Sequence, residues 1–121
     1  MASNNFQIKM KKRLYGYSLT VIKVIKKLPN NMDSQVLAKQ LIRSATSVAA
    51  NFIEATGASS KKDFINFYHY ALKSANESKF WLALIRDVNN LNNDEINNLI
   101  TETNEISNIL AASIITLKKN K

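Results

Sequence analysis

Glycine occurs twice and proline once in a chain of 121 residues. These two residue types punctuate the backbone more strongly than any others, so a chain almost without them has few places to turn. A β fold with many tight turns is disfavoured, and long helices are the natural alternative. Apolar spacing agrees. Leu14, Tyr17, Val21, Ile25 and Leu28 recur in steps of three and four and mark a first helix over roughly 8–28. Residues 1–7 read as a loose terminus. Pro29 stops the first helix, and Asn30 and Asn31 supply the turn.

Asp33 or Ser34 is a candidate cap for a second helix, 34–56, because a short oxygen-bearing side chain accepts from the free first-turn N–H groups. Gly57 stands where a C-terminal cap belongs. Ser60 and Asp63 form a capping-box-like pair at the start of a third helix, 61–89. Its core stripe is Phe64, Tyr68, Ala71, Ala75, Ser78, Leu82 and Ile85. Asn89 to Asn93 make a turn, and Asp94 and Glu95 suit the positive N-terminus of a fourth helix, 94–118. There Ile96, Leu99, Thr103, Ile106, Leu110, Ser113 and Leu117 form a heptad-like seam. Short connections make successive helices antiparallel, so the expected fold is all-α: one domain, 1–121, built as an up-down-up-down four-helix bundle.

The second helix carries two stripes. Leu37, Leu41, Ala45, Val48, Phe52 and Ala55 face a core. Beside them Gln40, Ser44, Ser47, Asn51 and Glu54 step with the same period, and Arg43 adjoins that row. The third helix has a second row too: Phe67, Tyr70, Ser74, Trp81, Leu84 and Val88. Large exposed apolar patches usually mark interfaces, so these adjacent rows point to self-association. Folding back around Gly57 brings Asn51 roughly opposite Asn66 and Arg43 roughly opposite Ser74, with Glu77 one turn on. An Arg43–Glu77 pair between helices or between subunits follows. The expected interface and polar network is therefore Gln40, Arg43, Ser44, Ser47, Asn51, Glu54, Phe67, Tyr70, Ser74, Glu77 and Trp81. A ligand site made of Arg43, Asn51, Glu54 and Glu77 is the competing reading, but Arg43 so close to acids is poorly placed to grip phosphate.

The net charge of +8 is unevenly spread. Residues 1–29 hold seven Lys/Arg and no acid, whereas residues 94–117 hold four acids and no base. The basic excess suits nucleic acid or another polyanion, although richness in Lys, Asn and Ile also follows from an AT-rich genome. The candidate phosphate contacts are Lys9, Lys11, Lys12, Arg13, Lys23, Lys26 and Lys27. Lys12, Lys23 and Lys27 share one face of the first helix, flanked by Lys9 and Lys26. In a ring-shaped oligomer that face repeats around the axis and multiplies a weak electrostatic contact. Nothing in the pattern resembles base readout.

Catalysis finds little support. The chain has no cysteine and one histidine, His69. A di-iron bundle needs a Glu-x-x-His pair on each of two helices, and His69 has no Glu three residues before it. No Arg lies within two turns upstream to form an Arg–His ribonuclease pair, and Gly16 and Gly57 stand alone rather than in a phosphate-cradling loop. No enzyme activity, cofactor, metal or small-molecule substrate is expected. No segment reads as a signal peptide or a bilayer span, so a cytoplasmic location is the default.

The run Gln40-Leu41-Ile42-Arg43, then Ala45, Ser47, Asn51 and Glu54, followed by Lys62-Asp63-Phe64, Phe67, Ala71, Ser74 and Glu77, resembles the bacterial 23S rRNA intervening-sequence proteins. Leu28-Pro29 fits as well, and the resemblance covers roughly residues 14–117. It implies a left-handed antiparallel four-helix bundle that assembles as a homopentamer. It also implies kinship with the pentameric accessory protein of diversity-generating retroelements, whose basic surface binds nucleic acid and the reverse transcriptase. Ala55 stands where the pattern commonly has Gly after the Glu, and Lys73 where Gly commonly precedes the Ser. Two functions follow as expectations. The first is a non-enzymatic oligomer that binds RNA or DNA through its basic surface with little sequence preference. The second is a scaffold for a protein partner, which the acids Asp94, Glu95, Glu102 and Glu105 would attract.

Overall fold

Four α-helices account for most of the described residues, 4–120, of this computed structural model. They are α1 (Asn4–Lys26), α2 (Met32–Ala55), α3 (Lys61–Val88) and α4 (Asp94–Lys119). No strand occurs among the described residues. The helices pack as a bundle around one core. Leu14, Tyr17 and Val21 come from α1; Leu41, Val48 and Phe52 from α2; Tyr68, Leu82 and Ile85 from α3; Leu99, Ile106 and Leu110 from α4. The buried set of α3 is the seven-residue stripe expected from spacing. In α4, Ile114 is buried where Ser113 was expected, and Ser113 turns its hydroxyl to its own helix at Ile109 O.

The helix ends differ from expectation in ways that have local causes. α1 begins at Asn4 rather than near residue 8, because Phe6 packs edge-on against Phe52 of α2, with ring centroids 6.1 Å apart. The expected loose terminus shrinks accordingly, and residues 1–3 lie outside the described set. α1 stops at Lys26, where Lys27 N–H and Leu28 N–H turn to the carbonyls of Val24 and Ile25, both at 3.1 Å. Leu28 precedes Pro29, whose ring disfavours the helical region for the residue before it.

Neither Asp33 nor Ser34 caps α2. Asn31 does, accepting from Ser34 N at 2.9 Å, because the helix starts two residues earlier than expected. Ser34 is instead buried, and its hydroxyl donates to Asn89 Oδ1 at 3.3 Å. Nor is Gly57 a left-handed cap, since no glycine among the described residues has a positive φ. The chain leaves α2 through tightened turns: Thr56, Gly57 and Ala58 donate to Ile53, Glu54 and Ala55 at 3.0–3.1 Å. The left-handed residue is Asn90, at φ 53°, just past the end of α3. There Leu91 N–H reaches Arg86 O at 2.8 Å and Asn90 N–H reaches Asp87 O, a Schellman closure that Asn tolerates better than most residues. The Ser60–Asp63 pair opens α3 as expected. Ser60 Oγ accepts from Asp63 N at 3.0 Å, and the Asp63 carboxylate reaches back to Ser59 N.

Contacts between helices follow a simple register. Ser34 meets Asn89, Ser44 meets Ser78, and Phe52 packs on Tyr68. Between α3 and α4, Lys79 meets Asn104 and Arg86 meets Asn97. Between α1 and α4, Arg13 meets Glu102 and Lys27 meets Glu95. No helix is long and apolar enough to cross a membrane among the described residues.

Candidate functional site

The second stripes of α2 and α3 meet along one seam. Arg43 reaches across it to Glu77, forming an ion pair within one chain. Arg43 also donates to Gln40 Oε1 at 3.1–3.3 Å, and Trp81 Nε1 donates to Glu77 Oε2 at 2.9 Å. Gln40, Arg43, Glu77 and Trp81 thus form one connected polar network, with the indole of Trp81 half-buried beneath it. Deeper in the seam the Ser44 and Ser78 hydroxyls share a hydrogen bond of 2.8 Å, and both residues are buried. Ser78 also donates to Ser74 O at 2.8 Å, so the pair satisfies itself without water.

The rest of the stripe is less connected. Ser47 Oγ donates to Arg43 O and Asn51 Nδ2 to Ser47 O, each within α2. The expected approach of Asn51 to Asn66 is not among the hydrogen bonds formed, because the Asn51 amide is taken up by its own helix. Glu54 is exposed at the end of α2. Phe67 and Tyr70 stack edge to face with centroids 6.0 Å apart, Phe67 half-buried and Tyr70 49% exposed. Val36 at 55% and Val88 at 46% extend the apolar surface towards the other end of the same seam. The structure thus brings Gln40, Arg43, Glu77 and Trp81 together, buries Ser44 beside Ser78, and leaves Ser47 and Asn51 bonded within α2 and Glu54 exposed.

The basic residues of α1 divide into two sets. Arg13 is bound by α4: its Nε and Nη2 donate to the two oxygens of Glu102 at 2.8 and 2.6 Å, and Nη2 also meets Glu105 at 2.8 Å. The Arg13 hydrogen bonds hold the Glu102 carboxyl below the usual carboxylate range, and the Glu102 hydrogen bond raises the Arg13 guanidinium. Lys27 pairs with Glu95 at 2.6 Å. These two cations are largely spent inside the chain. Lys9, Lys12, Lys23 and Lys26 are exposed and form no ion pair among the described residues, and Lys11 is half-buried. Tyr15, 68% exposed, lies among them on the outward side of α1, with Ile8 and Leu19.

Sequence reasoning treated the acids of α4 as a separate face. The signal for their partnership with α1 was present in Glu102 and Glu105, three apart on one helix face, but which helix lies opposite is a tertiary fact. Three of the four acids, Glu95, Glu102 and Glu105, are engaged with α1, and Asp94 forms no ion pair among the described residues. Among the described residues no three His, Asp or Glu side chains gather as a metal site would need.

Comparison with known proteins places this architecture. A family model described as 23S rRNA-intervening sequence protein matches residues 7–112. A crystal structure from Bacteroides thetaiotaomicron, described as a protein of unknown function from the S23 ribosomal protein family, superposes with a TM-score of 0.79. It shares 33% sequence identity, and the match covers 86% of this chain and 96% of that one. No curated protein matches. With a family match running from the first helix well into the fourth and a solved relative of the same fold, the chain belongs to the 23S rRNA-intervening sequence protein family.

Proposed function

We propose that this protein is a non-enzymatic, oligomeric bundle that binds nucleic acid, RNA first among the candidates, through the outward face of α1. The observation that carries the reading is the set of uncompensated cations Lys9, Lys12, Lys23 and Lys26 on one exposed helix, in a family whose description refers to rRNA. Arg13 and Lys27 contribute less, because Glu102, Glu105 and Glu95 already neutralise them. Phosphates recognised by ammonium groups carry no sequence information, so binding is expected to be largely sequence-independent.

Antiparallel order of successive helices is supported by the register of their contacts. Residue numbers rise on one helix as they fall on its neighbour, from Ser34–Asn89 through Ser44–Ser78 to Phe52–Tyr68. Assembly is supported by the apolar seam of α2 and α3, where Val36, Tyr70 and Val88 are about half exposed. The number five comes from the family resemblance. The alternative of a scaffold for a basic protein partner loses force, because the acids that would attract such a partner are mostly engaged with α1.

The test is the salt dependence of binding to a short single-stranded RNA. Four phosphate contacts per copy give a slope of log K against log salt of about −3. Replacing Lys9, Lys12, Lys23 and Lys26 by Ser is expected to flatten that slope while leaving native mass unchanged. Binding at low salt no tighter than that of a neutral control protein sinks the reading.

A further inference from the structure

A cleft at the end of the bundle lies outside the α1 face. It is an open surface groove of about 410 Å³ between the first turns of α3 and the last turn of α4. Lys61, Lys62 and Lys118 line it, together with Asn66, His69, Ile65 and Leu117.

Charge separates this cleft from a second one on the molecule. A cleft of similar size between α1 and α4, about 420 Å³, contains Arg13 but also Glu95 and Glu102, so its positive charge is already answered. The α3–α4 cleft is lined by three ammonium groups and no carboxylate, and none of the three forms an ion pair among the described residues. Placement makes the same point. Lys61 and Lys62 occupy the first turn of α3, where the positive end of the helix dipole disfavours cations. Helix stability therefore does not account for them, whereas an anion held between them and Lys118 would relieve the repulsion.

The remaining lining residues narrow the class of anion. Ile65 and Leu117 give an apolar wall, and Asn66 and His69 offer an amide and a ring nitrogen for hydrogen bonds. Inorganic phosphate alone has no use for the apolar wall. We infer that the cleft binds a nucleoside phosphate unit. Its phosphate sits among Lys61, Lys62 and Lys118, and its base lies against Ile65 and Leu117, within reach of Asn66 and His69. A free nucleotide and a nucleotide within an RNA chain both present this chemistry, and the second source rests on the function proposed above.

The experiment titrates the full chain with AMP, inorganic phosphate and a short RNA. It follows the Asn66 side-chain amide and the Ile65 and Leu117 methyl groups by NMR. A variant carrying Lys61→Ser, Lys62→Ser and Lys118→Ser is titrated in parallel, its fold checked by helical circular dichroism. Saturable shifts of those three groups with AMP or RNA are expected. The variant is expected to lose at least about tenfold in affinity, since each partly exposed charge-assisted contact removed weakens binding severalfold. AMP binding identifies the free nucleotide as a source, and cleft shifts with RNA alone identify the chain. Phosphate binding as tightly as AMP overturns the nucleoside assignment, and unchanged affinity in the variant overturns the site. No cleft shift with AMP or RNA, in a protein whose RNA binding responds only to the α1 lysines, sinks this inference and spares the proposed function. AMP binding in a protein indifferent to RNA does the reverse.

Discussion

Two tyrosines in one core carry their hydroxyls differently. The Thr103 hydroxyl proton is committed to Leu99 O at 2.8 Å, so Tyr17 must donate to Thr103 Oγ1 across their 2.7 Å contact. Tyr68 is fully buried among Phe52 and Phe64, with ring centroids at 5.2 and 4.8 Å, and its hydroxyl finds no partner among the described residues. Losing a satisfied buried hydrogen bond costs about 1 kcal/mol, whereas removing an unpaired buried hydroxyl costs little or stabilises. Tyr17→Phe is therefore expected to destabilise by about 1 kcal/mol in urea denaturation, and Tyr68→Phe to be neutral or slightly stabilising. Burial pushes both phenols up to about 12 from the ordinary value near 10. The folded state then keeps its protons at a pH where the unfolded chain loses them. The resulting stability is complete below pH ~10 and falls as pH rises towards about 12. The Tyr17→Phe, Tyr68→Phe double variant is expected to flatten that alkaline decline, and an unchanged decline would mean other groups cause it. None of this pairing was legible in the sequence. Spacing placed Tyr17 and Tyr68 in the core, but which hydroxyl lies across from a threonine depends on how two distant helices dock. Ser44 teaches the same lesson. Its spacing put it on the polar stripe, yet Ser78 draws it into the core.

Helix interiors were far more readable than helix ends. The core stripe of α3 matches its spacing residue for residue, because a 3.6-residue period leaves few alternatives over twenty-eight residues. Ends depend on choices among neighbouring candidates. Asn31, Asp33 and Ser34 can all cap, and the winner is set by where docking lets the helix start. The start of α1 depends on Phe6 finding Phe52, a contact no local rule supplies. Gly16 poses a sharper question at this scale, since it lies in the middle of α1, away from either end of the helix. A Cβ added there meets nothing within 4 Å, and no described glycine has a positive φ. Alanine is favoured over glycine inside a helix by about 0.5–1 kcal/mol, mostly by restricting the unfolded chain. Gly16→Ala is expected to raise unfolding free energy by that amount. A loss of stability in chemical denaturation would indicate that the added methyl meets something outside this chain's own fold, such as a neighbouring copy.

Across the whole molecule, the two outward faces differ in charge: the α1 face carries unpaired lysines among Ile8, Tyr15 and Leu19, and the α2–α3 seam carries a matched ion pair. Pairing Arg13 and Lys27 with α4 removes both the acidic face and part of the basic one, leaving a cationic outward side on α1. The α2–α3 seam is nearly the opposite case: the Arg43–Glu77 pair cancels its own charge, and Val36, Tyr70 and Val88 lie half exposed along it. A seam whose central ion pair is already matched and whose Val36, Tyr70 and Val88 are half exposed suits burial against another copy, with the exposed Glu54 carboxylate left at its end. The chain alone has a mass of 13.7 kDa, so light scattering well above that value is the expected result for the native protein. Tyr70→Glu with Val88→Glu places two unpaired carboxylates in the seam. Both positions are exposed in the single chain, so the helices are expected to persist while the native mass falls to that of the monomer. Separating the copies removes avidity as well, so RNA affinity in the monomeric variant should fall even with every lysine of α1 intact. A wild-type protein that scatters as a monomer refutes the assembly. Undiminished RNA binding by the dissociated variant instead means that one α1 face suffices and that assembly serves another purpose.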